Sequence, residues 1–184
     1  MSEASIAAEE ARLREVSTSR GVDPDKLPVV VILPGVMGSH LWVNRQDRVW
    51  FDPLDIAAGG LAKVSWDAAG VEAEKLFGMF YGKLAEHLAA SHRVERFAYD
   101  WRQPLDVLGE RFGEFLSSLL QSTDQPVRLL AHSMGGLVVR ACIHRRRSVM
   151  DQFMARDGAR LVMLGTPNQA ELILDAVLAY ARGD

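Results

Sequence analysis

The sequence predicts an α/β fold: a mostly parallel sheet with helices on both faces. Three observations carry the prediction. Apolar runs of strand length recur along the chain, led by Val29-Val30-Val31-Ile32-Leu33. Segments with a helical repeat of Leu and Phe lie between them. The two kinds alternate, and strands joined through helices build a parallel sheet covered on both sides.

The elements follow in chain order. Residues 3–15 are rich in Ala, Glu and Arg and read as a solvated helix without a strong apolar face. Ser17 to Pro28 carries Ser, Gly, Asp and Pro and reads as a linker. Val29 to Leu33, closed by Pro34-Gly35, is a β-branched run suited to a strand buried on both faces. Residues 36–75 have weak periodicity but contain Trp42, Trp50, Phe51 and Trp66, which suggests an irregular excursion packed near a pocket. Leu76, Phe80, Leu84 and Leu88 recur every fourth residue and predict a helix over residues 75–90. Val94 to Tyr99 reads as a short strand, and Leu108, Phe112, Phe115, Leu116 and Leu119 mark the next helix. Val127 to Ala131 is a third strand, Leu137 to Ile143 lie in a helix ending in Arg145-Arg146-Arg147, and Arg160 to Leu164 is a fourth strand. Residues 170–181 place Leu172, Ile173, Ala176, Val177 and Tyr180 on or near one helical face. No internal repeat or low-complexity tract appears.

Composition bounds the function. The 184 residues suffice for one domain with a real core. A net charge of −3 and a pI near 6.0 supply no field for nucleic acid. The single cysteine, Cys142, excludes an intramolecular disulfide framework. The start, Met1-Ser2-Glu3-Ala4-Ser5, lacks the basic and apolar regions of a secretory signal, and no apolar run is long enough to span a membrane. The expected location is cytoplasmic, with contact at a membrane surface left open. Neither a metal nor a cofactor is expected. The five histidines lack a ligand spacing such as H-E-x-x-H, and the glycines form neither a P-loop nor a dinucleotide fingerprint.

The chemistry concentrates at Ala131-His132-Ser133-Met134-Gly135-Gly136. A strand runs into a tight turn, a helix starts at once, and a serine sits at the apex. This is the context of a G-x-S-x-G nucleophile turn, with Ala131 at the first glycine position. Met134 opens the helix, so its N–H has no intrahelical partner and is free to donate to an oxyanion. A second donor is expected from the loop after the first core strand, Pro34-Gly35-Val36-Met37-Gly38-Ser39, with Val36 N–H the candidate. Ser133 is thus the expected nucleophile, and Val36 and Met134 the expected oxyanion donors.

At these residues the chain resembles the lecithin:cholesterol acyltransferase family of α/β-hydrolases, its bacterial members especially. The resemblance rests on Leu33-Pro34-Gly35-Val36-Met37-Gly38-Ser39, Tyr99-Asp100-Trp101-Arg102, Ala131-His132-Ser133-Met134-Gly135-Gly136 and Leu164-Gly165-Thr166-Pro167-Asn168, in family order. It implies an α/β-hydrolase-like sheet and a serine esterase or acyltransferase acting on lipid-type acyl esters. For Asp100 and Arg102 the favoured reading is a structural pair that holds loops.

The triad is incomplete in this sequence. The fold orders it as serine, acid, histidine. The sole histidine after Ser133 is His144, more than ~10 Å along the helix that Ser133 precedes. His132 should point away from Ser133. His87 and His92 read as surface positions, and His40 is the one local alternative, not favoured. Glu171, Asp175 and Asp184 follow the last strand, but no histidine-bearing strand follows them. The expectation is therefore a fold with C-terminal strands missing: residues 1–27 an N-terminal helix and linker, residues 28–184 a partial α/β-hydrolase domain, with the rest of a larger chain as a partner. The alternative is a catalytically incomplete hydrolase-fold binding module. Hydrolysis and transfer to an alcohol share the acyl-enzyme step, and the sequence does not choose between them.

Overall fold

A computed structural model describes residues 3–43, 47–50 and 69–169. Two sheets order the chain. The larger contains β1 (Val29–Leu33), β5 (Arg93–Arg96), β6 (Val127–His132) and β7 (Arg160–Leu164), all parallel, in the spatial order β5-β1-β6-β7. The smaller is antiparallel and holds β2 (Ser39–Val43) between β3 (Asp47–Trp50) and β4 (Val71–Leu76). The α/β class and the mostly parallel sheet are as the sequence predicts.

Among the described residues helices cover both faces of the larger sheet at β1. On β1, Val29, Val31 and Leu33 point to one side and Ile32 to the other, the two-residue period of a strand. The first side packs under α3 (Leu105–Ser122), α4 (Met134–Arg145) and α5 (Arg147–Ala155), through Leu108, Phe112, Leu116, Val138, Cys142 and Phe153. The second packs under α1 (Glu3–Thr18) and α2 (Gly78–Ala89), through Leu13, Tyr81, Ala85 and Ala89. Pro104 precedes α3, where its missing N–H costs nothing, and Asp106 in the first turn complements the helix dipole. His144 and Arg145 in the last turn of α4 do the same at the opposite pole.

Several boundaries and one region differ from the sequence expectation. Residues 36–75 are not an irregular excursion throughout, because β2, β3 and β4 form a second sheet there. Short strands broken by register shifts do not leave a clean alternation for sequence to read. Trp42 lies on β2, and its indole N–H donates to Glu74 on β4. Phe51 and Trp66 fall outside the described residues, as does the helix expected over residues 170–181. The helix α1 is less solvated than expected: Leu13 and Ser17 are buried, and the Ser17 hydroxyl donates to Ala89 O at 2.6 Å. The strand expected to reach Tyr99 stops at Arg96. A further helix, α5, follows the arginine run directly.

Candidate active site

The site is built where β6 ends. Ser133 has φ +51 and ψ −120, one of two described non-glycine residues with positive φ. L-residues pay about 1–3 kcal/mol for such backbone strain, and it persists only where the surroundings over-determine it. Here they do. Ser133 N–H donates to Leu164 O at 2.8 Å, extending the β6–β7 ladder to the serine itself. Met134 then begins α4, and Gly136 N–H returns to Ser133 O at 3.1 Å. The first turn of α4 fits against β1 and the loop after β7 with no room for side chains. A Cβ on Gly135 would lie 2.7 Å from both Leu33 O and Pro34 O, and one on Gly136 would lie 2.1 Å from Thr166 Oγ1. Ala131, at the first glycine position of the motif, is fully buried in the core, so its methyl is accommodated as packing.

The loop after β1 meets the serine from the side. A Cβ on Gly35 would lie 3.1 Å from Ser133 Cβ and 3.1 Å from His132 Nδ1. Gly38 N–H donates to Gly35 O at 3.0 Å, which closes a β-turn over Val36 and Met37. Met37 carries φ +61 while Val36 does not share that sign, the signature of a type II turn. The same turn packs its ends tightly, because a Cβ on Gly38 would lie 2.6 Å from Pro34 Cβ. Val36 and Met37 are exposed at its tip. Among the described residues the Val36 N–H has no hydrogen-bond partner, and the Met134 N–H stands in the first turn of α4, where no intrahelical acceptor exists.

Two buried tyrosines reach this loop. Gly35 N–H donates to the Tyr81 hydroxyl at 2.8 Å, and the Tyr99 hydroxyl donates to Pro34 O at 2.6 Å. Ser39 anchors the loop's exit: its hydroxyl accepts from Tyr99 N–H at 3.2 Å and its carbonyl from the Trp101 indole at 3.3 Å. Sequence reasoning singled out neither tyrosine as part of the site. Tyr99 belongs to a recognised segment, but Tyr81 sits in an amphipathic helix among residues whose spacing reads only as packing.

The titratable neighbours are committed elsewhere. Asp100 and Arg102 form a buried two-pronged pair, with Nε to Oδ1 and Nη2 to Oδ2 both at 2.8 Å, and the Arg102 backbone N–H at 3.1 Å and Gln103 at 3.2 Å donate to the same carboxylate. This is the loop-holding pair expected from sequence. His132 turns its Nδ1 to the Tyr81 hydroxyl at 2.8 Å. His92 lies 2.7 Å from Arg128 Nη1, and burial with that guanidinium lowers its pKa. His40 is buried on β2 against Phe77 and lines a cavity of about 380 Å³ with Glu9, Lys75 and Glu86, whose wall does not include Ser133. His87 and His144 are exposed at the last turns of α2 and α4. Among the described residues none makes a hydrogen bond to Ser133 Oγ, and all the histidines of the sequence are among them.

Comparison with known proteins gives one family. The family model described as lecithin:cholesterol acyltransferase matches residues 56–169, more than half of the chain. The matched span includes Tyr99-Asp100-Trp101-Arg102, the Ser133 turn and Thr166-Pro167-Asn168, and it begins after the Gly35 loop. No curated protein and no solved structure matches the chain.

Proposed function

The chain belongs to the lecithin:cholesterol acyltransferase family, and on that premise we propose that Ser133 is the nucleophile of a lipid-type acyl ester hydrolase or O-acyltransferase. Membership supports acyl transfer or ester hydrolysis at the level of the reaction class. The observation that carries the finer reading is the strained Ser133 backbone, held at φ +51 between β6 and α4 with the Gly35 loop against its side chain. A structural turn at this point would be served by glycine without strain. In the proposed step the serine oxygen bonds to the acyl carbon, the bond from that carbon to the leaving alkoxy oxygen breaks, and the serine proton passes through a base to the departing alcohol. Water or a second alcohol then takes the acyl group. Val36 and Met134 N–H are the proposed donors to the oxyanion.

The proton acceptor is the open part of this machinery. No histidine bonds to Ser133, and the ring of the adjacent His132 is held by Tyr81. We assign the base to a group outside these residues, in a larger chain or a partner. Val36, Met37, Met79 and Phe80 are exposed apolar residues on the loop and on the α2 turn that joins it through the bond from Phe77 N–H to Gly38 O. They are the proposed contact with a lipid surface. A second reading, a hydrolase-fold binding module, is favoured by the lack of a histidine on Ser133.

Labelling with a fluorophosphonate probe, beside Ser133→Ala, separates the two. Cys142 does not compete for the probe, because burial pushes its thiol up to about 11. Labelling that vanishes in Ser133→Ala is the result expected where the base is present. Equal labelling of both proteins would refute the nucleophile assignment, and none in a folded protein would leave this chain alone as a binding module.

A further inference from the structure

The two tyrosines at the Gly35 loop bind opposite ends of one peptide unit. Tyr99 donates to the carbonyl of Pro34, and Tyr81 accepts from the N–H of Gly35. In a trans peptide these groups point in opposite directions, so the plane between Pro34 and Gly35 is gripped from both sides. The next plane is fixed in turn. Its carbonyl, Gly35 O, accepts from Gly38 N–H, so its other end, the Val36 N–H, must point away from the turn's interior.

We propose that Tyr81 and Tyr99 are positioning residues that clamp the Pro34–Gly35 peptide and thereby aim the Val36 N–H at the oxyanion formed on Ser133. The proposal rests on the reading of Ser133 as nucleophile. A donor contributes to a transition state only if it is already aimed when charge develops, and a flexible glycine-rich loop does not hold an aim by itself.

Hydrogen-bond accounting extends the clamp to His132. The Gly35 N–H is a donor only, so the Tyr81 oxygen accepts there, and the Tyr81 proton needs an acceptor of its own. His132 Nδ1, at 2.8 Å, is that acceptor. On this accounting the imidazole proton is assigned to Nε2. Burial raises the Tyr81 pKa against the opposing bond from Gly35, which keeps the phenol protonated at neutral pH. Burial raises Tyr99 further, and it too stays a donor. Packing reinforces the grip, since a Cβ on Gly38 would lie 3.1 Å from Tyr81 Cε2.

The test uses the full chain with Tyr81→Phe and Tyr99→Phe, each of which keeps the ring. Three quantities are read: hydrogen exchange of the Gly35 amide, the ¹⁵N signals of the His132 ring, and fluorophosphonate labelling of Ser133 resolved into a maximal rate and an apparent affinity. Removing an oxyanion donor outright costs about 10²–10³ in rate, so a misaimed one should cost roughly tenfold. Tyr81→Phe is expected to speed Gly35 exchange and to lower the maximal labelling rate by that factor, with apparent affinity held within about twofold. Tyr99→Phe should lower the maximal rate alike and carries the test if Tyr81→Phe does not fold. A purely structural role would reduce the folded fraction without this split. Unchanged maximal rates in both variants, unchanged Gly35 exchange in Tyr81→Phe, or a His132 proton on Nδ1 in the parent would each overturn the clamp. Failure of the folded parent chain to label would favour the binding-module reading of this chain alone, and the amide exchange and ring signals would still decide the clamp.

Discussion

Gly135→Ala tests whether the serine turn is seated as tightly as the geometry requires. The added methyl would stand 2.7 Å from the carbonyl oxygens of Leu33 and Pro34, well inside the 3.4 Å at which ordinary contact begins. Neither oxygen can swing aside as a side chain would. Leu33 belongs to β1, and Pro34 O is held by the Tyr99 hydroxyl. The start of α4 must therefore move off the sheet. Overpacking of this kind costs about 1–3 kcal/mol, and replacing a helical glycine by alanine returns about 0.5–1 kcal/mol. The net loss spans about 0–2.5 kcal/mol, a fall of up to roughly 10 °C in melting temperature at this chain length. Gly82→Ala is the control. It lies within α2 and its Cβ would meet nothing within 4 Å, so only the backbone gain of about 0.5–1 kcal/mol remains and the melt should rise. Thermal denaturation of both variants beside the parent, followed by circular dichroism, makes the comparison. A Gly135→Ala protein that melts above the parent, as Gly82→Ala should, would refute the close seating of α4 on β1.

Two further outcomes follow from the buried pair and the strained serine. Burial works to raise the Asp100 pKa, but hydrogen bonds from Arg102 and Gln103 and the Arg102 charge outweigh it and hold the carboxyl below its usual range. A depressed folded pKa contributes stability that is present above the unfolded value of about 3.9 and is lost as pH falls through the folded one. Asp100→Asn should therefore cost about 3–5 kcal/mol at neutral pH. In urea titrations the gap to the parent should narrow in acid below about pH 4, and a gap constant across that range would count against the assignment. Ser133→Gly should abolish probe labelling yet raise the melting temperature, since it relieves about 1–3 kcal/mol of backbone strain against about 0.5–1 kcal/mol of lost glycine entropy. A lower melt would mean that the surroundings, not the backbone, hold the energy at this turn.

The parallel sheet was legible because its inner strand β1 is buried at every position and so needs a continuous apolar run. In β6 Arg128 interrupts the run, but Val127, Leu129 and Ala131 are buried, and such segments stand out without any partner being known. The serine turn was legible because a strand end, a small-residue turn and a helix start coincide within residues 131–137. The second sheet was not. Its described strands are short and carry charges such as Glu72, Glu74 and Lys75 at half-buried or exposed positions, which blurs a two-residue alternation. The helix α5 left a signal in Val149, Met150 and Phe153, but a single residue, Arg146, separates it from α4, where an arginine run reads as a terminus. The tyrosine clamp was invisible for a different reason. It joins residues 46 and 65 positions apart through single hydroxyls, and no local pattern encodes such a pair.

The strand order explains why one peptide can serve both sides of the fold. The chain leaves β1, crosses through α2 on one face to β5, then crosses through α3 on the other face to β6. Successive crossovers thus run in opposite directions, which puts the sheet's switch point at the carboxyl ends of β1 and β6, the place where such sheets bind ligands. Ser133 leaves β6 there, and the Gly35 loop leaves β1. Tyr81 belongs to the core under α2, and Tyr99 to the core under α3 and α4. Their hydroxyls meet on the Pro34–Gly35 peptide, so each core layer holds one end of it. Packing defects in either layer therefore reach the same loop, although the two cores share no side of the sheet. Rigidity at the candidate site is then a joint property of both layers, which a site built on one face alone would not have.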